Sequence, residues 1–234
     1  MKGNMMTKVS TLALLLSCAF AALPAKAEFE GNIGISSNYL WRGISQTQDS
    51  TAVDGGLDYS HESGFYAGMW AANVDFGDDT TFEMDFYGGY SGDITDSLSF
   101  DVGYLYYAYP DADADIDFGE LYASLTWQWL TVGYALVVNG GDDMAPDELS
   151  DDDMDYLSAD VAIPLGETLS LDLHYGYSSG DIALGWYGES SYSDYAVSLT
   201  KSTELGDVSF TVSDTDLTED DPKVVLRWSY GFAL

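Results

Sequence analysis

The sequence predicts an all-β protein: a transmembrane antiparallel β-barrel of about 12 strands that follows a cleaved signal peptide. Three observations lead to this prediction: an export signal at the N-terminus, short segments of alternating polarity along the rest of the chain, and a final segment with an aromatic face. The composition agrees, because 24 glycines, 18 tyrosines and only 5 prolines are typical of exported β proteins. A mean hydropathy of -0.07 excludes a helical membrane protein.

Residues 1–27 have the layout of a secretory signal peptide. A basic start precedes an apolar run over residues 9–23, and Ala25-Lys26-Ala27 then provides a small-residue cleavage site. The run is short for a transmembrane helix, which needs about 20 residues. The chain's single cysteine, Cys18, lies in this segment, and the residues before it fit a lipoprotein signal poorly. We therefore expect a mature barrel domain over residues 28–234 with no disulfide.

The mature chain divides into segments in which apolar and polar residues alternate. A strand places successive side chains on opposite faces, so each segment has one apolar and one polar face. A segment of about ten residues, rising about 3.3 Å per residue and tilted by about 45°, covers roughly 25 Å, which is one membrane crossing. The predicted strands are residues 28–41, 53–60, 65–76, 81–91, 98–109, 118–128, 130–138, 154–163, 168–177, 192–200, 208–213 and 223–234.

The connections between these segments alternate between short and long. The short ones lie near residues 61–64, 92–97, 128–130, 164–167 and 201–207. The longer, polar ones lie at residues 42–52, 77–80, 109–117, 139–153, 178–191 and 214–222. Outer-membrane barrels have short periplasmic turns and longer extracellular loops. A soluble β-sandwich, the alternative fold, has no reason to sort its connections in this way.

The final segment shows most clearly which face meets lipid. Its apolar face consists of Val224, Leu226, Trp228, Tyr230, Phe232 and Leu234. Lipid cannot solvate carboxylates, so we expect the apolar faces to contact outer-membrane lipid and the polar faces to line the lumen. Aromatic residues near segment ends, among them Tyr39, Trp41 and Trp127, could form interfacial girdles. The alternative for each is packing within the wall or plugging of the lumen.

The charge is strongly negative. The chain has 7 Lys+Arg and 40 Asp+Glu, and three of the basic residues belong to the predicted signal peptide, which leaves four. Nucleic-acid binding needs the opposite charge and is excluded. A negative surface attracts cations and repels anions. For loop carboxylates, solubility or adaptation to salt is the alternative explanation.

The polar faces supply the candidate pore-lining residues. These are Glu30, Arg42, Asp54, Asp58, Glu83, Asp85, Asp101, Glu120, Asp160, Asp172, His174 and Arg227. Arg42 follows Trp41 at the outer end of the first predicted strand, and Arg227 falls on the last one. These two strands are neighbours in a closed barrel, so both arginines are expected on one stretch of wall. Facing the acids, they could set a transverse field that filters small solutes. The alternative is simple charge compensation for buried carboxylates.

The sequence does not favour an enzyme. His174, predicted beside Asp172, could act as a base or a pH sensor. The other histidine, His61, falls in a predicted turn, so no serine or cysteine nucleophile has a credible partner. We expect no catalytic residues and no cofactor. A barrel hydrolase would require a serine or aspartate clustered with His174.

Two acidic runs fall on predicted extracellular loops. The first contains four weak candidate ligands for hard cations such as Ca²⁺, namely Asp111, Asp113, Asp115 and Asp117. It is not an EF-hand loop, because Ile116 stands where the turn glycine should be. The second run spans residues 142–155. A solvated acidic loop is the alternative for both.

Three stretches resemble a known family. Ser36–Thr47 reads SSNYLWRGISQT, Gly55–Gly77 reads GGLDYSHESGFYAGMWAANVDFG, and Glu83–Tyr90 reads EMDFYGGY. They resemble the TorF-type porins, a family of proteobacterial outer-membrane proteins. The resemblance covers the mature chain in layout and is most specific over residues 31–92. It implies an outer-membrane barrel of a Gram-negative bacterium with a porin role, and it implies no catalytic residues.

The C-terminal strand is expected to contact the barrel-assembly machinery. Outer-membrane barrels usually end in Phe or Trp, whereas this chain ends in Leu234. Recognition is therefore expected to rest on Tyr230 and Phe232.

The sequence thus favours a porin-like channel for passive diffusion of small hydrophilic solutes, with a preference for cations. The mechanism would be a lumen whose carboxylates concentrate cations and repel anions. The alternative is a non-conducting structural or adhesive barrel whose acidic extracellular loops bind divalent cations or partners. Conductance across a bilayer distinguishes the two.

Overall fold

The computed structural model describes residues 28–144, 153–218 and 220–234. The predicted signal peptide over residues 1–27 lies outside the described residues, as do residues 145–152 of the second acidic run.

Within the described residues, twelve strands form a closed antiparallel barrel, as predicted. The elements are β1 (Glu28–Ser36), β2 (Leu40–Trp41), β3 (Ile44–Ser45), β4 (Ala52–Ser60), β5 (Phe65–Asn73), β6 (Phe82–Thr95), β7 (Leu98–Ala108), β8 (Phe118–Trp127), β9 (Leu130–Gly140), β10 (Asp155–Pro164), β11 (Leu169–Ser179), α1 (Asp181–Tyr187), β12 (Ser191–Thr203), β13 (Gly206–Thr215) and β14 (Lys223–Ala233). Each barrel strand pairs with the next along the chain, and β1 pairs with both β4 and β14 to close the ring. Strands β2 and β3 pair with each other in a separate small sheet.

The two ends of the barrel differ, as the alternation of connections predicted. At the end that holds both termini, called the turn end, the connections at residues 61–64, 96–97, 128–129, 165–168 and 204–205 have two to four residues. At the opposite end, called the loop end, the connections are longer and span residues 37–51, 74–81, 109–117, 141–154, 180–190 and 216–222. Among the described residues, no helix is long and apolar enough to cross a membrane.

The outer surface is an exposed apolar band. Ile33 and Leu226 are 47% and 56% exposed, whereas the inward Asp85 is 0% exposed. Such a band is stable only where lipid replaces water, because exposed apolar surface in water is unfavourable. Trp127 and Trp129 lie on the outer surface at the turn end with ring centroids 6.3 Å apart, in the position expected for an interfacial girdle.

Two inward tyrosines of β5 and β6 lie across glycines of the neighbouring strand. The Tyr66 ring of β5 crosses Gly89 of β6, and the Tyr87 ring of β6 crosses Gly68 of β5. A Cβ atom at Gly89 would lie 2.4 Å from the Tyr66 hydroxyl, so a side chain there would displace the ring. The two tyrosine rings can therefore lie against the lumen wall only because Gly68 and Gly89 have no side chain.

The connection between β1 and β4 folds into the lumen, and we call residues 37–51 the inner hairpin. The prediction that the first strand continues to Trp41 is wrong, because β1 ends at Ser36. Strands β2 and β3 then form a tight hairpin whose turn residues Arg42 and Gly43 have φ angles of 48° and 83°. At the base of this hairpin, the Asn38 side chain donates a hydrogen bond to Asp49 at 2.8 Å. Positive φ at both turn residues matches the twist of paired strands, which explains the local fold.

The inner hairpin places its aromatic side chains inside the barrel. Tyr39 is buried and its hydroxyl donates to Glu83 Oε1 of β6 at 2.8 Å. Trp41 packs edge-on against Tyr107 and Phe118, each at a centroid distance of 6.1 Å. Tyr39 and Trp41 are therefore not girdle residues; the alternative, plugging of the lumen, describes them.

Candidate functional site

The loop-end half of the lumen is closed by an apolar cluster. Its buried members come from β7, β8, β9, α1 and β12 and from the connection before β10; they are Leu105, Tyr107, Phe118, Val137, Met144, Met154, Ile182, Ala183 and Tyr192. Tyr107 and Phe118 stack with centroids 4.3 Å apart. Helix α1 covers the cluster at the loop end, and Trp186 Nε1 donates to the Met144 carbonyl at 2.8 Å. Close-packed side chains of this kind exclude water from the upper lumen.

The tip of the inner hairpin is anchored by an ion pair. Arg42 Nη2 lies 2.5 Å from Glu120 Oε1 of β8, and Arg42 is only 4% exposed. The guanidinium lies over the rings of Trp41 and Tyr156, at 4.3 and 4.1 Å from their centroids. Burial disfavours its charge, but the Glu120 carboxylate more than offsets this and raises the pKa of Arg42 above its usual value. Arg42 is therefore a buried cation held by one carboxylate and two aromatic faces.

The second arginine forms a separate pair at the seam between the first and last strands. Arg227 of β14 makes a two-pronged contact with Asp54 of β4, with Nη2 2.7 Å from Oδ1. Trp70 Nε1 also donates to Asp54, at 3.3 Å. The pair reaches across Gly34 of β1, where a Cβ atom would lie 2.5 Å from Arg227 Nη2.

The prediction that both arginines share one stretch of wall is therefore wrong. Arg42 is on the inner hairpin rather than on a barrel strand, and it faces β8, whereas Arg227 faces β4. Each arginine neutralises one buried carboxylate, which agrees with the charge-compensation alternative.

His174 lies between two carboxylates. Its Nδ1 is 2.7 Å from Asp160 Oδ1, and its Nε2 is 2.9 Å from Asp194 Oδ1 and 2.9 Å from the Tyr156 hydroxyl. The expected neighbour Asp172 instead accepts from Ser170 at 3.0 Å. A neutral imidazole has only one N–H, so two facing carboxylates favour the doubly protonated, cationic form.

Tyr156 connects the histidine cluster to the inner hairpin. Its ring supports the Arg42 guanidinium, and its hydroxyl contacts His174 and Asp194. Neither Tyr156 nor Asp194 is among the residues proposed from the sequence. Both occupy inward positions of β10 and β12, so the alternation of faces was the signal that could have found them.

Two acids on β6 lie deepest beneath the inner hairpin. Glu83 is 1% exposed and accepts from the Tyr39 hydroxyl. Asp85 is 0% exposed, and neither of its carboxylate oxygens has a hydrogen-bond partner in the described part of the chain. Among the described residues, no ion pair with Lys or Arg includes either acid.

The remaining candidate pore-lining residues lie lower in the barrel and closer to solvent. Asp101 accepts from the Tyr66 hydroxyl at 2.5 Å. Asp58 accepts from Tyr87 and, at 3.3 Å, from Asn32. Glu30 is exposed near the turn end, opposite Asp58 in the register of β1 and β4. All candidates other than Arg42 lie on inward-facing positions of barrel strands; that they line a conducting path remains a prediction.

The four weak metal candidates do not assemble into a site. Asp111 accepts from the backbone and hydroxyl of Thr81, at 3.1 and 2.5 Å, and these hydrogen bonds lower the pKa of its carboxyl. Asp117 accepts from the Tyr109 backbone at 2.7 Å, and the Asp115 backbone donates to Asp143 at 2.7 Å. Asp113, the fourth candidate, lies in the same loop. Within the described residues, no group of three or more His, Cys, Asp or Glu side chains could hold a metal ion.

The fold matches solved porin structures. KdgM porin aligns with a TM-score of 0.58 at 8% identity, and NanC porin aligns with a TM-score of 0.56 at 13% identity. KdgM porin in complex with disordered oligogalacturonate aligns with a TM-score of 0.55 at 7% identity. Each alignment covers 88% of this chain and 99% of the other. At these identities the likeness concerns the fold.

Sequence comparison identifies the family. Among curated proteins, none matches this chain. The family described as "Bacterial protein of unknown function (Gcw_chp)" matches residues 21–226, which is most of the chain. The chain therefore belongs to the Gcw_chp family of bacterial proteins.

Proposed function

We propose that this protein is a porin-like channel of the Gram-negative outer membrane that passes small hydrophilic solutes and prefers cations. The observation that carries the proposal is the imbalance of charge inside the barrel. Arg42 and Arg227 are each paired with one carboxylate, so neither is available to attract an anion. The fold shared with porins and the resemblance to TorF-type porins support the channel role.

The uncompensated acids are distributed along the height of the lumen. Glu83 and Asp85 lie near the loop end, whereas Asp101, Asp58 and Glu30 lie toward the turn end. Such a series raises the local concentration of cations and opposes the entry of anions. KdgM porin has been solved with oligogalacturonate, a polyanion. We expect this acidic lumen to repel such a solute.

The inner hairpin makes the proposed channel a gated one. Arg42, Glu83 and Asp85 are almost free of solvent exposure, so water does not reach the upper lumen in this arrangement. Passage of an ion requires the inner hairpin to move away from β6 and β8. The same plug favours a second candidate function, a barrel that does not conduct and acts through its acidic loops.

Single-channel recording distinguishes the two functions. The mature chain, refolded in detergent and inserted into a planar bilayer under a KCl gradient, is expected to show discrete openings with a cation-selective reversal potential. A test variant is Asp101→Asn, which removes one inward charge and should reduce the cation selectivity without abolishing the openings. Silence from a folded barrel that also lacks residues 38–49 would refute conduction and favour the second function. Anion-selective steps would refute the cation preference.

A further inference from the structure

Among the residues that the structure describes, no Lys or Arg side chain neutralises Glu83 or Asp85, although both carboxylates are buried. The two residues are separated by one position on β6, so both side chains point inward from Cα atoms about 7 Å apart. Their exposures are 1% and 0%. Asp85 is the more extreme of the two, because both of its carboxylate oxygens are buried and no described residue donates a hydrogen bond to them.

The groups that pack against the pair are neutral except Glu120, which interacts electrostatically with Asp85 and is itself paired with Arg42. Trp70 of β5 and Tyr107 of β7 are the register partners of Asp85, and Tyr39 of the inner hairpin donates to Glu83. Burial raises the pKa of Tyr39 well above the usual tyrosine value, and the Glu83 charge adds to the rise, so this hydroxyl keeps its proton. The same causes raise the pKa of Tyr109.

An ionised carboxylate is strongly destabilised in such surroundings. Removing a charge from water costs several kcal/mol, even after relaxation, unless an opposite charge compensates it. Two carboxylates on one face also repel each other. A pair of this kind needs either bound protons or a cation.

We propose that Glu83 and Asp85 bind one divalent hard cation of the Ca²⁺ class, enclosed between β6 and the inner hairpin. A charge of +2 neutralises both carboxylates at once, and every available ligand atom is an oxygen, as such ions prefer. The two side chains supply only part of the coordination shell, so water molecules complete it. The site does not depend on conduction by the barrel.

The bound ion also stabilises the closed position of the inner hairpin. Glu83 is held by Tyr39 from the hairpin, so the ion, Glu83 and Tyr39 form one connected unit that bridges the wall and the plug. A ligand that binds only the closed form shifts the population toward it. Removal of the ion is therefore expected to loosen residues 37–51.

Binding to the refolded barrel tests the proposal directly. Equilibrium dialysis with Ca²⁺ alone is expected to show one bound ion more per chain for the wild type than for Asp85→Asn. Asp111→Asn, which alters an exposed loop acid, is the matched control and should keep this ion. Ca²⁺ should raise the Tm of the wild type and of Asp111→Asn but not that of Asp85→Asn.

Terbium luminescence provides a second measurement that does not depend on the folding of Asp85→Asn. Tb³⁺ at the site should be sensitised by the indole of Trp70, and Trp70→Phe should lose most of this emission while keeping the ion. The proposal is overturned if all variants bind equal numbers of Ca²⁺ ions. It is equally overturned if infrared spectra show a protonated carboxylic acid that Asp85→Asn removes and Ca²⁺ leaves unchanged.

Discussion

Replacement of Arg42 by glutamine tests whether the inner hairpin is a gate. The change leaves Glu120 buried without its cation, and breaking a buried ion pair in this way costs about 3–5 kcal/mol. Loss of the contacts with the rings of Trp41 and Tyr156 adds about 1 kcal/mol. Movement of the hairpin out of the lumen relieves most of this cost, because water then reaches Glu120.

The expected consequence is a large shift toward the open state. If about 3 kcal/mol of the penalty is relieved only by opening, the ratio of open to closed barrels rises by roughly a hundredfold. Single-channel recording measures this ratio as the open probability. The double variant Arg42→Gln with Glu120→Gln should recover much of the closed population, since it removes the unpaired charge.

A matched control separates gating from general destabilisation. Arg227→Gln also breaks a buried arginine–carboxylate pair, but that pair joins β14 to β4 and does not touch the inner hairpin. It should lower the Tm of the barrel with little effect on open probability. The reasoning is refuted if Arg42→Gln folds and leaves the open probability unchanged, or if both variants raise it equally.

Two further predictions concern the histidine cluster and the loop at residues 109–117. His174→Gln removes the positive group between Asp160 and Asp194, so we expect the barrel to be destabilised by about 3 kcal/mol and its Tm to fall. Adding Asp194→Asn should restore part of the Tm. An unchanged Tm in His174→Gln would contradict a cationic His174. The Asp111 carboxyl has a folded pKa below its unfolded value of about 3.9. Its stabilisation of the loop is therefore present above that value and is lost as pH falls through the folded pKa. Hydrogen exchange at the Thr81 amide should accelerate relative to neighbouring amides over that range, and Asp111→Asn should abolish this pH dependence.

The barrel could be predicted from the sequence because its signals are local. The alternation of apolar and polar residues along a segment such as 223–234 reports which face meets lipid, without knowledge of any partner strand. The lengths of the connections are likewise read directly from the chain. The number of strands and the sorting of short and long connections therefore follow from neighbouring residues alone.

The inner hairpin could not be predicted in the same way, because its contacts are distant in sequence. The alternation continues from β1 through Trp41, so a departing hairpin and a continuing strand have the same local pattern. What distinguishes them is the reach of Tyr39 to Glu83 and of Arg42 to Glu120, which are 44 and 78 positions away. Arg42-Gly43 was the available turn signal.

The partners of His174 depend on the register in which β11 pairs with its neighbouring strands, and this register could not be predicted from the sequence. Proximity in sequence suggested that Asp172, on the same strand, is the partner of His174. Pairing of β10 with β11 places Asp160 directly opposite His174. Asp194 comes from the strand on the other side, where it is paired with Gly176. Cross-strand neighbours of this kind are closer than residues two positions apart on one strand.

The Arg227–Asp54 pair across Gly34 has a consequence for the fidelity of barrel assembly. It spans the seam at which the last strand meets the first, and closure of that seam completes the ring. If β14 closed one residue out of register, every one of its side chains would change face, and the Arg227 guanidinium would enter the hydrocarbon of the membrane. That placement costs about 2–4 kcal/mol at the bilayer midplane, in addition to leaving Asp54 buried and unpaired. The pair therefore favours the native register, because a ring closed one residue out of register loses this ion pair and places Arg227 against lipid.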